Sequence, residues 1–127
     1  MLLHLTDLSD EPLQTQIVRQ IRAKILSGDL EREDGLPSIR SLARDLQVSV
    51  ITVQRAYEHL EREGLIHSRR GKGFYVTALS DENKRSMARR KLEQRLRDPL
   101  TDAAAEGLEK KAIRASLEKL LLDLEIE

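Results

Sequence analysis

Hydrophobic residues recur at helical spacing near the start of the chain. They lie one helical turn apart at Leu13, Ile17, Ile21 and Ile25. This spacing places them on one face and predicts a first helix over residues 12–27. We expect Asp10 or Glu11 to cap this helix, because their carboxylates can accept hydrogen bonds from its first backbone N–H groups. Pro12 suits the first helical position, and Gly28 is expected to end the helix.

A polar connector, residues 29–37, follows the first helix. Two shorter apolar stripes come after it, on either side of a turn at residues 47–49. The first stripe predicts a helix over residues 38–46 with Ser38 as its N-cap. The second predicts a helix over residues 50–63, which Gly64 ends. The side chains expected to be buried by this pair of helices are Ile39, Leu42, Ala43, Leu46, Val48, Val53, Ala56, Tyr57 and Leu60.

The rest of the chain combines a hairpin with two more helices. The segments "LIHSR" and "FYVT", on either side of "RGKG", predict a two-stranded hairpin. A helix is predicted over residues 79–97, with a kink or break near Asp98 because Pro99 cannot donate a backbone hydrogen bond. A last helix is predicted over residues 109–124. The predicted fold class is therefore mostly α with a small β-hairpin.

Apolar stripes on the last two helices lack an evident partner within the tail. A tail over residues 79–127 is too short to bury these stripes fully within itself, so they predict a dimer interface with a second copy of the chain. The alternative is a monomer in which the tail folds back on the preceding domain, residues 1–78. The predicted dimerisation residues are Met87, Leu92, Leu96, Leu100, Ile113, Leu117, Leu120, Leu121 and Leu124.

Composition argues against several classes of protein. The 127 residues contain no cysteine, which excludes a disulfide framework and thiolate metal sites. No apolar run approaches the length that spans a bilayer, and "MLLHLTDLSD" is too short and too acidic for a signal peptide, so we expect a cytoplasmic protein without membrane contact. His4, His59 and His67 lack metal-ligand spacing, and no carboxylate pair or Ser-His-Asp set stands out. We therefore expect no enzyme activity and no cofactor.

Charge is balanced over the whole chain but not along it. The formal net charge is +0, from 22 basic and 22 acidic residues. Between Ser38 and Val76, seven basic residues stand against four acidic ones. A basic surface on a neutral chain indicates a polyanionic partner. A second basic run, residues 84–97, is interpreted as a solvated helix face, with phosphate contact as the alternative.

The two helices around the predicted turn match a helix-turn-helix unit, in which the second helix lies in the major groove of DNA. The outward face of that helix would present Gln54, whose amide can recognise adenine. Val50 or Ile51 on the same helix could touch a thymine methyl group. Arg40 and Arg44 lie one turn apart on the first helix, where phosphates would run.

The predicted hairpin tip concentrates positive charge on flexible backbone. Arg69, Arg70 and Lys72 lie beside Gly71 and Gly73, which suits contact with the minor groove or the phosphate backbone. The run resembles a phosphate-binding loop only superficially, because it lacks the P-loop spacing and its Ser or Thr. A module that binds another protein is the competing interpretation of the whole domain.

A long segment of the chain resembles a known family. The segment "LPSIRSLARDLQVSVITVQRAYEHLEREGLIHSRRGKGFYV" resembles the winged helix-turn-helix domain of GntR-family bacterial transcription regulators. "PLQTQIVRQIRAKILSGDL" resembles the first helix of that family, and the short tail resembles the YtrA subfamily, whose two C-terminal helices serve dimerisation. The resemblance implies a homodimeric repressor that binds a palindromic double-stranded DNA operator through residues 1–78 and dimerises through residues 79–127. It assigns no small-molecule effector.

The resemblance also implies which residues lie at the DNA. Together with the chemistry above, the predicted DNA contacts are Ser38, Arg40, Arg44, Ser49, Val50, Ile51, Thr52, Gln54, Arg55, Arg70, Gly71, Lys72 and Gly73. The chain departs from the family at Val50 and Gln54, where many members carry arginine. The family's usual operator bases therefore do not transfer to this chain.

Overall fold

A computed structural model describes residues 1–124 of the chain. Within them it contains five α-helices and one two-stranded antiparallel sheet, so the predicted helical fold with a small hairpin is confirmed. Two compact units can be distinguished, one from Met1 to Arg85 and one that begins at Ser86. The elements in chain order are α1 (Leu13–Ser27), α2 (Ile39–Leu46), α3 (Val50–Arg62), β1 (Ile66–Arg69), β2 (Gly73–Val76), α4 (Asp81–Ala105) and α5 (Lys110–Asp123).

The two ends of α1 differ in how well the sequence predicted them. Pro12 occupies the N-cap, its carbonyl accepts the first N–H of the helical ladder at 3.0 Å, and no side chain caps the helix. The expected cap by Asp10 or Glu11 is therefore wrong. The Glu11 carboxylate is drawn instead to the guanidinium of Arg19, which donates to it at 2.9 Å. Gly28 ends the helix in a left-handed conformation with φ of 92°, as predicted.

The core of the first unit forms where α1 and α2 pack against α3 and where α3 packs against β1. Burial of a large apolar side chain stabilises a fold by about 1.5–3 kcal/mol relative to exposure. In α2 only Leu42 and Ala43 are buried, whereas Ile39 and Leu46 are half-buried, so its buried face is narrower than predicted. The side chains with at most 1% exposure are Gln16, Ile17, Ile21, Ile25, Val53, Ala56, Tyr57, Leu60, Leu65, Ile66 and Val76.

A third segment extends the predicted hairpin. The register of the hairpin pairs Ile66 with Val76, His67 with Tyr75, Ser68 with Phe74 and Arg69 with Gly73. The connector before α2 runs along the other edge of β2. The Leu36 N–H donates to the Phe74 carbonyl at 2.9 Å, and the Val76 N–H donates to the Asp34 carbonyl at 2.9 Å. We call β1, β2 and the connector that pairs with β2 the wing. The sequence predicted this connector only as a polar link.

Residues before α1 form an extended arm that two glutamines of α1 hold in place. Gln16 accepts the Thr6 N–H at 2.9 Å and donates to the Thr6 carbonyl at 2.8 Å. Gln20 binds both backbone groups of His4 in the same way, at 2.8 and 2.7 Å. Four residues of helix span about 6 Å and two extended residues about 6.6 Å, so glutamines one turn apart match alternate residues of the arm. The attached arm buries Leu3.

Most of α4 and all of α5 belong to the second unit. α4 runs without interruption through Pro99, so of the predicted kink or break near Asp98 the break is wrong. Proline removes one backbone hydrogen bond, and an exposed helix tolerates this loss because water can bind the carbonyl left without a donor. The Thr101 hydroxyl adds a bond within the same stretch, to the Arg97 carbonyl at 2.8 Å. The predicted tail reaches residue 127, and residues 125–127 lie outside the described part of the chain.

Candidate nucleic-acid interface

Serine caps fix the starts of α2 and α3, the two helices of the predicted DNA-binding motif. Ser38 Oγ accepts the Ser41 N–H at 3.1 Å, and Ser49 Oγ accepts the Thr52 N–H at 3.1 Å. The hydroxyls of Ser49 and Thr52 also bond each other at 2.8 Å. In the turn between the helices Gln47 adopts a left-handed conformation with φ of 57°, which costs a non-glycine residue about 1–2 kcal/mol. Three residues predicted to contact DNA, Ser38, Ser49 and Thr52, thus have a structural role at these helix caps.

The outward face of α3 carries the side chains predicted to contact bases. Val50 and Ile51 are 45% and 53% exposed, and Gln54 and Arg55 are exposed beside them. The opposite face of α3 is buried in the core, which fixes the direction of this outward face. Gln54 Nε2 donates to Glu58 Oε1 at 3.2 Å. Two-point recognition of adenine uses the amide oxygen and one N–H of the amide nitrogen, so the second N–H of Gln54 can keep its bond to Glu58.

Two arginines follow the exposed side of α2. Arg40 and Arg44 lie one turn apart and both are exposed. Arg44 Nη2 lies 3.5 Å from Ser41 Oγ, and neither arginine forms an ion pair within residues 1–124. Unpaired cations on neighbouring turns can bind phosphates of one DNA strand and so set the position of the motif on the duplex.

The tip of the hairpin combines left-handed glycines with exposed cations. Gly71 and Gly73 have φ of 72° and 95°, which favours glycine because any Cβ would be strained there. The Lys72 N–H donates to the Arg69 carbonyl at 2.9 Å and closes the turn. The side chains of Arg70 and Lys72 are exposed and form no ion pair within the described residues. The tip therefore presents two unpaired cations on a tight turn.

Arg69, which the sequence grouped with the tip cations, is turned onto the side of the wing. Its guanidinium pairs with the Glu33 carboxylate of the connector and lies 4.1 Å from the centre of the Tyr75 ring. Glu33 is itself held by its N–H, which donates to the Val76 carbonyl at 2.9 Å. Its backbone is left-handed, with φ of 66°. The unpaired charge of the tip is therefore smaller than the sequence suggested.

One buried tyrosine joins the elements of the motif. Tyr57 lies on the inner face of α3, and its hydroxyl donates at 2.7 Å to the carbonyl of Pro37, just before α2. Its ring meets Phe74 of the wing edge to face, with ring centres 5.0 Å apart. Burial raises the pKa of Tyr57 above its ordinary value, since a phenolate would lose its solvation. The sequence pattern identified Tyr57 only as a core residue, because the position of Pro37 beside it depends on the folded chain.

The predicted dimerisation residues lie on α4, on α5 and at the end of α5. No residue of either helix is buried among the described residues. Four are 53–60% exposed: Leu92, Leu120, Leu121 and Leu124. Five are half-buried: Met87, Leu96, Leu100, Ile113 and Leu117. Leu100 and Ile113 line an open cleft of about 450 Å³ in the second unit. The tail thus leaves apolar surface available to a partner.

The side chains of two of the three histidines make structural contacts. His59 Nε2 lies 2.7 Å from Glu63 Oε1, and the same carboxylate pairs with Arg22. The ring of His67 stacks on that of Tyr75. Within residues 1–124 no three His, Cys, Asp or Glu side chains are grouped in a way that could hold a metal ion. None of the helices in that range is long and apolar enough to cross a membrane.

The fold and the site together define a class of protein. A winged helix-turn-helix transcription regulator that binds DNA has an outward-facing recognition helix, cations on the preceding helix and a cationic wing. The first unit has these features in α3, in Arg40 and Arg44 of α2, and at the hairpin tip. The family model described as "Bacterial regulatory proteins, gntR family" matches residues 13–76. The chain belongs to the gntR family, and the predicted family and class are confirmed.

Similar proteins extend the match beyond the winged unit. The "HTH-type transcriptional repressor YtrA" of Bacillus subtilis (strain 168) is 31% identical over 119 residues, which cover 91% of this chain and 89% of that protein. A "GntR family transcriptional regulator from Listeria monocytogenes" superposes with a TM-score of 0.74 at 31% identity and covers 91% of this chain and 98% of that one. The similarity to YtrA thus includes the tail, as predicted.

A second similar structure is a complex with an operator. It is described as "AraR(DBD) in complex with operator ORX1" and superposes with a TM-score of 0.52 at 27% identity. The match covers 59% of this chain and 93% of that one. The DNA and dimer contacts of individual residues in the present chain stay predictions.

Proposed function

We propose that this chain is a cytoplasmic repressor that binds a palindromic double-stranded operator as a homodimer. The observation that carries the proposal is the geometry of the first unit, in which Tyr57 ties α3 to the start of α2 and to the wing, so that their exposed cations and polar groups act together. Similarity to a repressor over nearly the full chain supports the regulatory role. A structural relative bound to an operator supports DNA as the ligand.

In this proposal α3 enters the major groove and the wing follows the adjacent backbone. Gln54 recognises adenine and Ile51 contacts a thymine methyl group, because both lie on the exposed face of α3. Arg55 binds a base edge or a phosphate from the same face. The backbone N–H groups at the capped start of α3 add an anion-binding site for a phosphate. Two copies place two such helices on the half-sites of a palindrome.

Alanine substitutions on the two helices test DNA binding. Arg40→Ala removes a phosphate contact, so it should weaken binding about equally for all sequences and reduce the slope of log affinity against log salt by about one. Arg55→Ala should cost about 1–3 kcal/mol of affinity and relax specificity at one position if it contacts a base. Fluorescence anisotropy on DNA selected in vitro measures both.

Arg19→Ala is the matched control for these substitutions. Arg19 is an exposed cation on α1 that pairs with Glu11, outside the predicted interface. It should leave DNA affinity nearly unchanged. If Arg40→Ala and Arg55→Ala bind DNA like this control, the proposed orientation of the motif is wrong.

A winged helix that binds another protein is the competing function, and salt separates the two. Binding to DNA releases counterions, so its affinity should fall steeply as ionic strength rises. Association through apolar surface should change little. An interaction that survives high salt, with no measurable affinity for any selected DNA, would favour the protein-binding function.

Aspartate on α5 tests the homodimer. Leu121→Asp should convert the dimer to monomers and weaken operator binding, because a charge would be buried in the apolar interface. Leu122→Asp is the control, since Leu122 is 85% exposed and lies outside the predicted dimerisation residues. Sedimentation velocity measures the oligomeric state of each. A wild-type chain that sediments only as a monomer at micromolar concentration would refute the homodimer.

A further inference from the structure

An acidic residue lies on the face of α3 that is proposed to enter the major groove. The buried face of this helix is formed by Val53, Ala56, Tyr57 and Leu60. At about 100° per residue, Glu58 lies about 150° around α3 from the centre of that buried face. Its side chain is exposed. A carboxylate at this position repels DNA phosphates, so by its charge alone it weakens binding to every sequence.

Glu58 is bonded to Gln54, one turn earlier on the same helix. Gln54 Nε2 donates to Glu58 Oε1 at 3.2 Å, and both side chains are exposed. Glu58 forms no ion pair within residues 1–124, although Arg62 is exposed one turn further along α3. Because a carboxylate only accepts hydrogen bonds, the amide nitrogen of Gln54, and not its oxygen, must face Glu58.

The bond to Glu58 leaves Gln54 with one donor and one acceptor for DNA. The amide nitrogen has two N–H groups, of which one is used, and the amide oxygen stays free to accept. Adenine presents one acceptor, N7, and one donor, the N6 amino group, in the major groove, so it matches this pattern. Guanine presents two acceptors there, N7 and O6, so the amide oxygen would meet an acceptor. An amide that rotates freely could instead turn its nitrogen to guanine and donate to it.

We propose that Glu58 is a positioning residue that makes Gln54 selective for adenine over guanine. Its carboxylate holds one N–H of Gln54, so the other N–H and the amide oxygen present the pattern that adenine requires. The inference rests on the proposed binding of DNA through α3 and adds to it the residue that orients Gln54. Since the charge of Glu58 also repels phosphates, its presence lowers overall affinity and raises specificity.

Competition between matched DNA duplexes tests the positioning role in the full chain. In vitro selection with the wild type and with Gln54→Ala identifies the operator position whose base preference depends on Gln54. Two duplexes that differ only there, A·T against G·C, then give an affinity ratio by fluorescence anisotropy. The wild type should prefer A·T by about 5–150-fold, the range of a good two-point contact. Glu58→Ala should reduce this ratio to about threefold or less, because the released amide can donate to guanine.

Two further variants separate the bond from the charge. Glu58→Gln keeps an oxygen that can accept the N–H of Gln54 and removes the charge, so it should retain most of the adenine preference. Asp45→Ala removes an exposed negative charge from α2, so it should strengthen binding to both duplexes about equally and leave their ratio unchanged. Thermal unfolding of every variant should stay near that of the wild type, because each substituted side chain is exposed.

The possible results separate the positioning role from DNA binding itself. A wild-type affinity ratio in Glu58→Ala would overturn the positioning role and leave DNA binding by α3 intact. An equal loss of preference in Glu58→Gln and Glu58→Ala would also overturn it, since the bond to Gln54 would not be the cause. Selection of a base other than adenine at the Gln54 position, or no change of preference in Gln54→Ala, would refute the inference alone. A wild-type chain that binds no selected DNA would refute the proposed function and the inference together.

Discussion

Replacing Tyr57 by phenylalanine tests how the recognition helix is joined to the rest of the motif. The change removes a hydroxyl that donates to the Pro37 carbonyl at 2.7 Å and leaves the ring against Phe74. Tyr57 is fully buried, so water cannot replace the bond without rearrangement. The perturbation is therefore one lost hydrogen bond at the junction of α3 and α2, with the packing retained.

The expected magnitude follows from the burial of this bond. A hydrogen bond contributes about 0.5–1.5 kcal/mol net, and a carbonyl left without its donor adds to the loss. We expect Tyr57→Phe to lower the free energy of unfolding by about 1–2 kcal/mol. In a domain of the size of the first unit this lowers the melting temperature by about 4–16 °C.

Thermal unfolding followed by circular dichroism measures the effect, with Tyr75→Phe as the matched control. The Tyr75 hydroxyl also donates to a backbone carbonyl, that of Lys72, but at 3.3 Å and in an exposed setting. Its removal should change the melting temperature much less. If Tyr57→Phe were as stable as Tyr75→Phe, the hydroxyl would not hold α2 to α3 and the reasoning would fail.

Burial also makes the stability depend on Tyr57 at alkaline pH. It raises the pKa of Tyr57 above the ordinary value of 10.0, so the folded chain keeps a proton that the unfolded chain releases. The stabilisation that neutral Tyr57 contributes is fully present below about pH 10 and is lost as the pH rises above that value. Denaturant unfolding between neutral and strongly alkaline pH should show this decline in the wild type and a smaller one in Tyr57→Phe.

Three further changes test the wing and the arm. Arg70→Glu combined with Lys72→Glu should lower operator affinity and flatten its salt dependence, since fewer counterions are released; a large loss of thermal stability would contradict the exposed tip. Glu33→Gln should release Arg69 to the DNA and steepen the salt slope by up to about one, and an unchanged slope would contradict this. Gln16→Ala should remove three hydrogen bonds to the arm and its end. It should lower the free energy of unfolding by about 2–4 kcal/mol and speed hydrogen exchange of the arm's amides, whereas retained protection would show that the arm is held elsewhere.

Features that depend on near neighbours along the chain were predictable from the amino-acid pattern alone. Spacing predicted α1 over residues 12–27, and the helix runs over Leu13–Ser27. Ser38 caps α2 as predicted, because its hydroxyl needs only the N–H of a residue three positions later. The prediction that Gln54 lies on the exposed side of α3 was made in the same way, since the spacing of apolar residues identifies the buried face of the helix. The family motif likewise lies in one continuous segment.

Features that join distant segments depend on how the chain packs in three dimensions. The connector before α2 lacks an alternating apolar pattern, yet it pairs with β2 because the core brings the two edges together. That approach also places Glu33 beside Arg69 and removes one cation from the predicted tip. α4 continues through Pro99 because losing one hydrogen bond on an exposed helix costs less than ending the helix there. The spacing of apolar residues shows which face of a segment is apolar. The partner of an unpaired strand edge or charge depends instead on which distant segment the packed core places beside it.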